Sequence, residues 1–125
     1  MKVEKIEDKF TDLTYLKTIA KGNNDFMLRV INTFISQTKA DIEKMRQYFD
    51  EKNFDAIYFI AHKMKPSFQF VGIKELNNVI LDIETFSKEK NNLELLPGLI
   101  SKLYSIYLSS VKELEEETVK LTNIS

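Results

Sequence analysis

His62 is the only histidine in the chain of 125 residues, and Lys65 follows it at three-residue spacing. An imidazole has a reference pKa of about 6.5, so much of it is neutral and nucleophilic at cellular pH. An ammonium one helical turn away can meet the oxygens of an anionic group that the ring has accepted, and such charge-assisted contacts are strong. Histidine and lysine in this spacing are therefore equipped to accept a phosphoryl group. Gln69, a further turn along, adds a neutral hydrogen-bond donor. Nothing else in the sequence offers comparable chemistry. With no cysteine, disulfides, thiolate nucleophiles and Cys-based zinc sites are excluded. A single histidine leaves only carboxylate-dominated metal sites, and paired inward Glu-x-x-His motifs are absent, since the residue three before His62 is Phe59. The three glycines stand far apart, so no Gly-rich loop can cradle a nucleotide phosphate.

These side chains must be positioned by helices. Glycine and proline are few, while Leu, Ile, Lys and Glu are abundant. Apolar residues recur at three- and four-residue spacing. A short first helix is expected from an N-cap at Asp12 to Gly22. A long second helix after Asn23 or Asn24 carries Met27, Val30, Ile31, Phe34, Ile35, Ile42, Met45 and Phe49 on its inner stripe. The third runs from about Asn53 to Gly72, the fourth from Lys74 to Lys88, and the fifth from Leu95 to Leu121, with Pro97 in its first turn. Short connections make neighbouring helices antiparallel, so the expected fold is all-α, an antiparallel four-helix bundle with a short additional N-terminal helix. Residues 1–125 read as a single domain with its core at about 12–121. Glu113, Glu115, Glu116 and Glu117 read as a solvated helix face.

The formal net charge is −1, which gives no global attraction to nucleic acid or anionic membranes. No apolar run approaches the ~18 residues of a membrane span, and the N-terminus lacks a signal pattern. A cytoplasmic protein is the expectation. Because one bundle can close its own core, so is a monomer.

At about 100° per residue, Ile57, Ile60, Ala61, Met64, Phe68 and Val71 gather on the inner side of the third helix. His62 falls nearly opposite, with Tyr58, Lys65, Pro66 and Gln69 close to it in angle. Phe59 and Phe70 flank the same outer side. Together Tyr58, Phe59, Pro66 and Phe70 form a candidate docking patch for a protein partner. The alternative for the two phenylalanines is burial against a neighbouring helix or the short first one, and for His62 an inert surface position.

His62, Lys65, Ser67, Gly72 and Leu76, read as H-x-x-K-x-S-x-x-x-x-G-x-x-x-L, resemble the signature of histidine-containing phosphotransfer (HPt) domains. The resemblance extends from about Asp12 to Leu114. It implies an intermediate of a multistep phosphorelay, a carrier without kinase activity of its own. His62 would take a phosphoryl group from the aspartyl phosphate of one response-regulator receiver domain and pass it to another. Receivers and a hybrid sensor histidine kinase are the implied partners. No cofactor is implied on this chain, the Mg²⁺ belonging to the receiver. Lys65 matches the lysine that neutralises the phosphohistidine. Glu84, twenty-two residues after His62, matches the position from which a polar side chain orients the ring. Family members usually carry glycine or another small residue after the lysine. Here it is Pro66, which removes one helical hydrogen bond to the His62 carbonyl and is expected to bend the helix. A histidine kinase core fits poorly, since there is no nucleotide-binding segment and Lys63 stands where an acidic residue is expected. The alternative is a non-transferring bundle that binds receivers or other proteins while His62 stays idle.

Overall fold

The computed structural model describes residues 9–123. Five helices follow one another: α1 (Thr14–Ala20), α2 (Asn24–Asp50), α3 (Phe54–Val71), α4 (Lys74–Glu89) and α5 (Leu96–Asn123), with a 3₁₀ turn at Leu93–Leu95 before the last. No strand occurs among the described residues.

The helix boundaries follow from local chemistry. Asn23 caps α2 by accepting the Phe26 N–H at 3.0 Å, and Asn53 caps α3 by accepting that of Ala56 at 3.2 Å; each satisfies a donor left orphaned in the first turn. Gly72 ends α3 in the left-handed conformation at φ 62°, where a residue without Cβ is least strained. The first helix begins later than an Asp12 cap implies. Its boundary residue is Leu13, which gives no side-chain cap, while Asp12 Oδ1 accepts the Thr14 N–H at 3.0 Å in a local turn. The last helix likewise starts one residue later than expected, because residues 93–95 form the 3₁₀ turn first.

The four long helices close a ring in which α2 packs on α3 and α5, and α4 packs on α3 and α5. Successive short connections alternate their directions. Inside, Ile31, Ile42, Met45, Ile57, Phe68, Leu76, Ile80, Ile83 and Leu103 are fully buried. Phe68 meets Phe34 edge-to-face at 6.1 Å, a preferred aromatic geometry. The Tyr107 hydroxyl donates to the Ile35 carbonyl at 2.6 Å and ties α5 to α2.

Of the acidic residues near the end of α5, Glu113 is not merely solvated. Its carboxylate accepts the N–H groups of Phe10 (2.8 Å) and Thr11 (2.9 Å) and the Thr11 hydroxyl (2.7 Å). Asp12 N–H then donates to the Val71 carbonyl at 3.0 Å. The segment before α1 is thus pinned across the end of α3, and α1 packs on α2 and α3. This leaves the middle of α3 bounded by α2 on one side and α4 on the other, with its outer face open.

Candidate functional site

His62 lies in the middle of α3, with 61% of its side chain exposed. Its Nδ1 is 2.6 Å from Oε2 of Glu84 on α4. A carboxylate accepts only, so in the neutral ring it selects the tautomer with the proton on Nδ1 and leaves the Nε2 lone pair free. The other carboxylate oxygen, Oε1, accepts from Lys65 Nζ at 2.8 Å. Glu84 is only 12% exposed. Burial pushes its carboxyl up, but the hydrogen bonds from Lys65 and His62 outweigh that effect and hold its pKa below the ordinary carboxylate value.

The Tyr58 ring stacks on His62 with centroids 5.9 Å apart and planes 28° from parallel. Lys88, one turn after Glu84, places its ammonium 5.7 Å from the centroid of the same tyrosine ring. The imidazole is therefore held by a carboxylate at one nitrogen and an aromatic face alongside.

The candidates that share an angular sector in the sequence do not all meet. Lys65, Tyr58 and Glu84 converge on His62. Pro66 is exposed on the same face, and α3 runs through it unbroken. Gln69 is exposed and lies beside Asp12, Tyr15 and Thr18 near the first helix, with no hydrogen bond to His62. Phe59 is 69% exposed, its ring 5.5 Å from that of Tyr58. Phe70 is half-buried and packs against Tyr15 of α1 at 5.8 Å, the covered arrangement that the sequence left open for it. Ser67 donates to the Met64 carbonyl at 2.7 Å within its own helix.

Asp41 is a buried carboxylate near the site that the sequence analysis does not single out. Only 2% exposed on α2, it accepts from Lys63 Nζ at 3.1 Å and from Gln37 Nε2 at 3.2 Å. The signal was present: Phe34, Thr38, Asp41 and Met45 follow one inward stripe at four-, three- and four-residue spacing, so an acidic residue stands where the core stripe should continue. The lysines on either side of His62 are thus tied to carboxylates on opposite flanking helices, Lys63 to α2 and Lys65 to α4. The facing of α3 is set by its buried Ile57, Ala61, Met64, Phe68 and Val71, and the direction of the imidazole by Glu84 and Tyr58.

Among the described residues, no group of three or more His, Asp or Glu side chains is placed to hold a metal ion, and no helix is long and apolar enough to cross a membrane.

Comparison with known proteins follows the same line. The family model described as "Hpt domain" matches residues 29–121. The fold is similar to the crystal structure of histidine-containing phosphotransfer protein B (HptB) from Pseudomonas aeruginosa PAO1, with a TM-score of 0.82 and 15% identity, over 90% of this chain and 97% of that one. No curated protein matches the chain. A helical bundle that displays its one histidine on an open helix face, matched by the family model over most of its length, places this chain in the Hpt domain family.

Proposed function

We propose that the chain is a phosphocarrier in a multistep phosphorelay, receiving a phosphoryl group on Nε2 of His62 from a receiver-domain aspartyl phosphate and passing it to a second receiver. The observation that carries this reading is the exposed imidazole whose Nδ1 is occupied by Glu84.

In the forward step the Nε2 lone pair attacks phosphorus in line with the aspartyl oxygen. The P–O bond breaks, its electron pair returns to the aspartate as carboxylate, and the Nε2–P bond forms. The proton stays on Nδ1, so the ring becomes a phosphoimidazolium cation, and the Glu84 carboxylate opposes that charge at short range. Onward transfer reverses these movements, and the ring leaves as neutral imidazole. Lys65 sits where its ammonium can shift from Glu84 toward a phosphoryl oxygen. Positioning and charge stabilisation dominate such transfer, and a Mg²⁺ ion bound by the receiver supplies the rest. The carrier needs no kinase activity of its own. It works in the cytoplasm as a monomeric bundle between a hybrid sensor kinase and its receivers, and exposed Phe59 beside half-buried Tyr58 offers an aromatic edge for docking near the nucleophile.

The test is incubation of the purified protein with a phosphorylated receiver and Mg²⁺, followed by mass spectrometric location of the phosphate beside a His62→Gln control. An acid-labile, alkali-stable phosphate on His62, absent from the control, is expected. Binding without transfer across a panel of receivers would leave an adaptor that uses the bundle only for docking.

A further inference from the structure

A groove of about 630 Å³ runs between α2 and α3, on the side of α3 away from Glu84. Phe26, Val30, Phe34, Met64 and Phe70 give it apolar walls, and Asp41 lies in its lining. Both hydrogen bonds to Asp41 fall on the same oxygen, Oδ1. Among the described residues Oδ2 has no hydrogen-bond donor, although the side chain is 98% buried by the 2% exposure it retains. A buried carboxylate oxygen without a donor is costly, and native folds seldom keep one without a use. An apolar residue would pack this position at no such cost.

We propose that this groove is a docking pocket for an aromatic side chain bearing a hydrogen-bond donor, tyrosine or tryptophan, presented by a protein partner, with Asp41 Oδ2 as the acceptor.

The charges around the groove select that chemistry. Lys63 already neutralises Asp41, and Arg29 lines the groove as well, so a third cation would be repelled. An anion has no proton to donate to Oδ2, which only accepts. What remains is a neutral donor on an apolar body, which describes the phenol and the indole. Such side chains are the usual anchors of protein interfaces because they fill apolar pockets and satisfy one polar group at depth. Lys63 stays paired with Oδ1, and Asp41 itself lines the groove. The inference stands on the groove alone and does not require His62 to carry phosphate.

The test is an amide-resolved NMR titration of the whole chain with three probes: the N-acetyl amides of tyrosine, tryptophan and phenylalanine. Shifts are expected at Phe34, Asp41, Met64 and Ser67, with the tyrosine and tryptophan probes binding about two- to tenfold tighter than phenylalanine, the range of one net hydrogen bond. Asp41→Asn should erase that preference. Thr33→Trp, made at an exposed position on the groove rim, keeps Asp41 intact and should abolish the shifts by filling the groove. Equal affinity for all three probes would overturn the proposal. So would shifts that persist in Thr33→Trp, or groove shifts that appear on concentrating the protein without probe, which would give the site to a second copy of the chain. Because no probe contains phosphate, none of these outcomes bears on phosphoryl acceptance at His62.

Discussion

Nδ1 of His62 lies 2.6 Å from Oε2 of Glu84, across the interface between α3 and α4. The same carboxylate holds Lys65 through its other oxygen, so one side chain governs both the tautomer of the nucleophile and the resting place of the nearest cation. Replacing Glu84 separates hydrogen bonding from charge. Glu84→Gln keeps an oxygen that can accept the Nδ1 proton but loses the charge that balances a phosphoimidazolium. Acceptance of phosphate from a phosphorylated receiver should slow by about tenfold in Glu84→Gln and by more in Glu84→Ala, as when the partner that fixes a ring's tautomer is removed. An unchanged rate in both variants would remove Glu84 from the site.

The same carboxylate should appear in the pH dependence of stability. Burial raises its pKa, but Lys65 and His62 lower it further, so the native value lies below the reference of 4.5. The unfolded chain then binds a proton at Glu84 before the native state does. The stabilisation is therefore present above about pH 4.5 and lost as pH falls through the native pKa. Urea unfolding of the wild type and Glu84→Gln should show a stability difference at pH 7 that narrows by pH 3. A difference that is constant or widens on acidification would contradict the assignment.

Lys65→Ala tests the cation alone. Lys65 retains 33% of its side-chain exposure, so its pair with Glu84 should contribute no more than about 1 kcal/mol to folding. The variant should fold normally. Its phosphohistidine should hydrolyse faster, by about fivefold for a contact of about that size, as followed by loss of phosphate from purified, phosphorylated protein. An unchanged lifetime would mean that Lys65 serves only to hold Glu84.

The fold was legible because each helix repeats its apolar residues at the helical period, and because Asn23, Asn53 and Gly72 are strong local punctuation. Glu84 was legible only through the resemblance to HPt domains, which implies a ring-orienting side chain at that position after His62. Gln69 shares a sector with His62, but seven residues of helix separate them by about 10 Å along the axis, a distance that the angular reading does not show. The Asp41–Lys63 pair was missed because its members lie on different helices, and only the facing of α2 against α3 brings them together. The Glu113 clamp on Phe10 and Thr11 joins residues about a hundred positions apart, and the short segment it holds has no periodicity from which a partner can be inferred.

That clamp gives a physical reason for the glycine that ends α3. A Cβ on Gly72 would stand 2.2 Å from the Asp12 carbonyl oxygen and 2.9 Å from the Asp12 Cβ, at a φ of +62°. The Asp12 backbone cannot yield freely, since its own N–H is bonded to Val71 and the two residues before it are held by Glu113. Gly22 has a comparable φ of +85° but open space around it. Gly22→Ala should therefore lose only the backbone preference, about 1 kcal/mol. Gly72→Ala should lose that and the cost of displacing the pinned segment, about 2–4 kcal/mol in all, with faster amide hydrogen exchange at Phe10, Thr11 and Asp12. Equal losses in the two variants, with exchange at those amides unaltered, would show that the N-terminal segment yields freely and that Gly72 is needed for its conformation alone.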